Sequence, residues 1–177
     1  AGRLRVRPHD VEVQTAGMVP ILEPEVLLEG KHSRARARMV ISETLKTVFS
    51  VLDEQAVDRA SVILKTAMAL SGSESGKEDS PEEVAEDTLA ALMESVPRQV
   101  AGIVFLSGGQ TPDQATENLA AITRKAKGLD APWPVTFSYA RALQDEALSV
   151  WKGKDENVAA ARAAFLSRLA KVSSPLN

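Results

Sequence analysis

Four short apolar runs punctuate the chain: Met18 to Leu22 (MVPIL), Ser61 to Leu64 (SVIL), Gly102 to Leu106 (GIVFL) and Val135 to Phe137 (VTF). They recur at intervals of roughly forty residues, too short for helices and too continuous for strands with one wet face, so they read as buried parallel strands. Each is followed by a segment whose apolar residues recur with helical period. Ala37, Ile41, Leu45, Val48 and Leu52 line one face after the first run, and Ala85, Leu89, Leu92 and Val96 do so after the second. Ala115, Leu119 and Ile122 follow the third run. Leu143 and Ala147 follow the fourth, and Val158, Ala161, Phe165 and Leu169 mark a last helix. The pattern predicts an α/β chain of four βα units. Such a (βα)4 array is either half of an eight-stranded TIM (βα)8 barrel, with parallel strands inside and helices outside, or a small open sheet.

Helix starts support this register. Ser80-Pro81-Glu82-Glu83 and Thr111-Pro112-Asp113-Gln114 each place a hydroxyl cap, a proline in the first turn, and a Glu or Gln three residues after the cap. Between the second strand and its helix lies Ser71 to Ser80 (SGSESGKEDS), polar and without period, which reads as a long βα loop, either a flexible connector or a mobile cover over a site. Residues 1–16 show no clear strand or helix and stay unassigned. Residues 17–177 carry the four βα units, a half-barrel if the eightfold reading holds.

With 44% hydrophobic and 25% charged residues, 177 residues make one globular domain. The 21 basic residues are interspersed with 24 acidic ones for a net charge of −3, which argues against nucleic acid as a partner. The one basic run, Lys31 to Arg38 (KHSRARAR), starts an amphipathic helix and is expected to form its solvated face. Cysteine is absent, which excludes disulfides, thiolate metal sites and cysteine nucleophiles. His9 and His32 lie too far apart in sequence to suggest a multi-histidine site, so neither a catalytic metal nor another cofactor is expected. No apolar stretch approaches the roughly 20 residues of a membrane span, so no membrane partner is expected and a soluble cytoplasmic protein is the default.

In folds of this kind chemistry gathers at the C-terminal ends of the strands. Glu23 and Glu25 end the first run at a spacing of two, which in extended chain turns both carboxylates to one side and suits shared acid and base work. Lys65 follows Val62-Ile63-Leu64 at the mouth of a buried strand. A lysine amine deprotonated there can attack a ketone to form an iminium. Ser107-Gly108-Gly109 ends the third run, where glycines let backbone N–H groups approach a phosphate. Arg141 follows the fourth, with a planar fork suited to the same anion. The loops after the last two strands are the usual phosphate site of the eightfold barrel.

These residues sit in five consecutive blocks: GMVPILEPEVL (17–27), ILKTAMALSGS (63–73), VPRQVAGIVFLSGGQTPDQATENLAAI (96–122), PWPVTFSYARALQDEAL (132–148) and WKGKDEN (151–157). Together they resemble the signature blocks of class I fructose-bisphosphate aldolase, in order, from the fifth to the eighth strand of its barrel. The resemblance implies a metal-free glycolytic lyase. Lys65 would form a Schiff base with the C2 carbonyl of the ketose phosphate, and Glu23, with Glu25 beside it, would supply acid and base. Ser107, Gly108 and Gly109, with the backbone of Ala140 and the side chain of Arg141, would hold a sugar-phosphate substrate.

The chain departs from the family in several places, among them the lack of the vertebrate C-terminal tail with its final tyrosine. Thr66-Ala67-Met68 follows the lysine where vertebrate members carry Pro-Asn-Met, which looks like a bacterial-type branch. Ala140 stands where many members have glycine. Nothing corresponds to the first four strands, so the expectation is either a fragment or half-barrels that pair as a homo-oligomer. Two other functions fit the residues: a Schiff-base aldolase for a different sugar phosphate, or a catalytically silent half-barrel acting as a binding or assembly module.

Overall fold

The structure, a computed structural model, describes residues 9–176. Its elements in chain order are α1 (His9–Thr15), β1 (Ile21–Leu22), α2 (Arg34–Glu54), β2 (Ile63–Thr66), α3 (Pro81–Ser95), β3 (Gly102–Phe105), α4 (Pro112–Gly128), β4 (Val135–Phe137), α5 (Arg141–Trp151) and α6 (Val158–Ser173). The strands form one sheet in the order β1-β2-β3-β4, every neighbouring pair parallel. Sequential order with a helix in each connection is the geometry of successive βα units around a barrel.

One side of the sheet is closed and the other is not. Leu64 and Thr66 on β2, with Ile103 and Phe105 on β3, are essentially fully buried and face the helices. Leu64, Ile103 and Phe105 meet Ile41, Leu45 and Leu52 of α2, Leu89 and Leu92 of α3, and Leu119 and Ile122 of α4 in one core. Burying each such side chain contributes about 1.5–3 kcal/mol relative to leaving it in water. The alternate residues Ile63, Lys65, Gly102 and Val104 are only half-buried, and Ile21 on β1 is exposed. The apolar runs read as strands buried on both faces, but four strands cannot wrap around their own inner side, so here that face stays open.

The helix starts follow the predicted grammar. Ser80 and Thr111 cap α3 and α4 in complete capping boxes with Glu83 and Gln114, each with proline in the first turn. Before Gly17, where the sequence shows no element, His9–Thr15 forms a helix of seven residues. It is docked by a polar side chain: the Gln14 amide donates to the carbonyls of Asp58 and Ser61 and accepts from the Asp58 N–H. Two turns held in this way leave too short an apolar period to read from sequence.

Two loop expectations change. The 71–80 segment is neither a free connector nor a detached cover, because its backbone N–H groups at Gly72, Ser73 and Glu74 donate to the carbonyls of His32, Leu28 and Gly30 in the loop after β1. The basic run does not form a wholly solvated face either. Arg34 donates through Nη1 to Asp79 Oδ1 at 2.8 Å and through Nε to Asp87 Oδ2 at 2.6 Å. Asp79 in turn accepts from the Ser71 N–H at 2.6 Å and the Ser71 hydroxyl at 2.9 Å, with its own side chain only 6% exposed. These contacts join residues far apart in sequence, and no local pattern announces them.

Candidate active site

Strand register places the first two candidates side by side. Ile21 pairs with Ile63 and Leu22 with Leu64, so the next step sets Glu23 opposite Lys65. Lys65 lies inside β2, one residue before its end, and projects onto the open face because Leu64 and Thr66 take the helix side. Its Nζ is 2.8 Å from Glu23 Oε1. The lysine side chain is 20% exposed, so most of its stem is covered while the amine stays reachable. Glu25 is exposed on the same alternation as Glu23, with Pro24 and Val26 half-buried between and beyond them. Among the described residues it makes no ion pair.

The same register continues across the sheet. Lys65 pairs with Val104, and Val104 with Thr136, so the amine faces a row of neighbours on the open side. Just beyond the end of β3, Ser107 is buried, and Gly108 and Gly109 follow at φ of +50° and +82°. Two successive left-handed residues favour glycine at both positions, and a Cβ at Gly108 would press against Leu106 Cδ1 at 2.8 Å. Glycine at both positions leaves the turn without side chains of its own.

Beyond β4 the chain runs through Ser138, whose N–H donates to the Phe105 carbonyl at 2.8 Å, to Ala140 and Arg141 at the start of α5. Ala140 has φ −101°, so alanine fits where many family members carry glycine without entering the left-handed region. Arg141 is exposed, and among the described residues its guanidinium makes no ion pair. The loops after β3 and β4 are therefore neighbours at one end of the sheet, one offering backbone N–H groups and the other a cation.

Sequence reasoning passed over the residues that fix these loops. The Gln110 amide donates to the Ser107 carbonyl at 2.9 Å and receives Asn118 Nδ2 at 2.6 Å, which ties the Ser-Gly-Gly turn to α4. The Tyr139 hydroxyl donates to the Ala115 carbonyl at 2.8 Å, and the ring lies against Phe137. Burial raises the Tyr139 pKa well above the ordinary phenol value, so the group stays a neutral donor. Nothing in the local sequence marks Tyr139 as an anchor. Its partner lies in a helix that begins more than twenty residues earlier.

Residues 9–176 match the family described as fructose-bisphosphate aldolase class-I. Fructose-bisphosphate aldolase 4, cytosolic, of Arabidopsis thaliana is 44% identical over 166 residues, which cover 94% of this chain and 42% of the relative. Fructose-bisphosphate aldolase 2, chloroplastic, of Pisum sativum is 46% identical over 155 residues, 88% of this chain and 43% of the relative. A solved structure of fructose-bisphosphate aldolase from Plasmodium falciparum, in complex with TRAP and a small-molecule inhibitor, superposes with a TM-score of 0.85 at 39% identity. It covers 90% of this chain and 45% of that one. The chain thus spans less than half the length of the relatives it matches, and the sheet described above is a partial α/β barrel. By sequence along nearly its whole described length and by fold, the chain belongs to the class I fructose-bisphosphate aldolase family.

Proposed function

We propose that this chain carries the Schiff-base half of a fructose-bisphosphate aldolase site and acts on a ketose phosphate in glycolysis. The observation that carries the reading is the Lys65 amine on an open strand face, 2.8 Å from the Glu23 carboxylate. Lys65 Nζ attacks the C2 carbonyl, and the carbinolamine loses water to give the iminium. Glu23, within hydrogen-bonding reach, takes up the proton released by the nitrogen and returns it to the departing hydroxyl, with Glu25 beside it. Transfer of the C4 hydroxyl proton to a carboxylate of the Glu23–Glu25 pair then lets the C3–C4 bond break, and the same proton is available for C3 of the enamine. The electron pair flows into the iminium, glyceraldehyde 3-phosphate leaves, and the remaining enamine is protonated and hydrolysed to dihydroxyacetone phosphate.

The Ser107 hydroxyl, the backbone N–H groups of Gly108, Gly109 and Ala140, and the Arg141 guanidinium bind a substrate phosphate in this reading. Supporting it are the paired loops after β3 and β4, the glycine conformations, and an exposed Arg141 that makes no ion pair among the described residues. Among the described residues the outer edges of β1 and β4 pair with no further strand, which favours association of copies as a homo-oligomer. Among the described residues no helix is long and apolar enough to cross a membrane, and a cytoplasmic location is the proposed compartment.

Borohydride reduction in the presence of dihydroxyacetone phosphate tests the chemistry. Peptide mass spectrometry is expected to find the reduced adduct on Lys65. Label on another lysine with Lys65 untouched would overturn the mechanism.

A further inference from the structure

The two loops proposed to bind phosphate lead into α4 and α5, and polar side chains tie the starts of these helices together. Arg168 on α6 has a side chain only 4% exposed, yet its guanidinium reaches two other helices. Nη1 donates to Asp113 Oδ1 at 2.7 Å, in the first turn of α4, and Nη2 pairs with Glu146 on α5. Asp113 stands four residues after Gly109, and Glu146 five residues after Arg141. One planar fork therefore spans the helices that grow out of the two loops. A second tie lies closer to the ligand side: Tyr139, the residue before Ala140, donates its hydroxyl to the Ala115 carbonyl in the same turn of α4.

A buried guanidinium is a weak source of stability compared with an apolar side chain of similar volume. Among the described residues this one also leaves its Nε buried without a hydrogen-bond partner. What it supplies is geometry, because a rigid fork bonded to two carboxylates fixes the distance between their helices in a way that apolar packing does not.

We propose that Arg168 and Tyr139 are positioning residues that hold the N-terminal ends of α4 and α5 at the spacing required for one phosphate to be bound from both sides. The inference rests on the phosphate role of Ser107 to Gly109 and Arg141 proposed above. Neither residue touches the substrate. Each acts through the helix start it anchors, so its loss weakens ligands that carry phosphate and spares those that do not.

The test uses the full chain and measures the concentration of ligand that gives half-maximal borohydride labelling of Lys65, for dihydroxyacetone phosphate and for dihydroxyacetone. Tyr139→Phe, Arg168→Met and Glu146→Gln are each expected to raise the concentration for the phosphate ester about tenfold, a shift of about 1.4 kcal/mol, and to leave that for dihydroxyacetone unchanged. Arg168→Lys, which retains the charge but not the fork, is expected to recover part of the loss. Should Arg168→Met fail to fold, Glu146→Gln and Tyr139→Phe decide, since one alters a half-exposed carboxylate and the other keeps the ring. Equal loss of both ligands, or no change while Arg141→Ala weakens the phosphate ester, overturns the positioning role alone. An Arg141→Ala variant that binds the phosphate ester as tightly as the parent overturns the phosphate site itself, and the positioning role with it.

Discussion

Lys65 and Glu23 meet across two neighbouring parallel strands, Nζ to Oε1 at 2.8 Å, because Leu22 and Leu64 pair one step earlier in the ladder. The contact is thus a product of register. A slip of one residue would carry either side chain to the opposite face.

Glu23→Gln keeps the shape of the side chain and a hydrogen bond to Lys65 but removes the proposed proton acceptor. The rate of Schiff-base trapping at Lys65 is expected to fall about 10²-fold, within the usual range for loss of a general acid–base group. Lys65→Arg should abolish trapping altogether. Stopped-time reduction with borohydride measures both, and an unchanged rate in Glu23→Gln would remove that residue from the proton transfers.

Asp79 holds Ser71 and Arg34 together, so truncating it strands a backbone N–H and a partly buried guanidinium. Asp79→Ala is expected to cost about 1–3 kcal/mol of stability in urea unfolding. Faster amide exchange is expected at residues 71–74, which hang on this anchor. Gly72→Ala should loosen the same segment by another route, because a Cβ there would overlap the Gly30 carbonyl. Wild-type exchange in both variants would show that the loop is held elsewhere.

Tyr139 is the one tyrosine of the chain, so phenolate absorbance reports on it alone. Burial raises its folded pKa, whereas the unfolded phenol ionises near its ordinary value of 10.0. Below that value both states are neutral and stability does not depend on the group. Above it the unfolded chain gives up a proton that the folded chain retains, so stability falls as pH rises. Phenolate absorbance should therefore appear together with unfolding, and at about pH 10 only in urea. Tyr139→Phe should flatten the alkaline slope of stability. Reversible ionisation of the folded protein near pH 10 would contradict the buried hydrogen bond to Ala115.

The repeating unit was legible from residues alone, since the spacing of SVIL, GIVFL and VTF and the apolar stripes after them reflect local periodicity, which physics imposes on any buried strand or helix. The caps at Ser80 and Thr111 were legible for the same reason: a capping box closes within four residues. The blocks around Lys65, Ser107 and Arg141 placed the chain in its family before any contact was known. What tertiary structure decided were relationships between residues whose partners are distant in sequence. It set Glu23 against Lys65 through the ladder, drew Arg34 from the solvated face to Asp79 and Asp87, fastened the 71–80 loop to its neighbour, and joined Arg168 to Asp113 and Glu146. Local periodicity specifies which side of an element is buried, whereas the partner a polar side chain meets there depends on how separate elements are brought together in space.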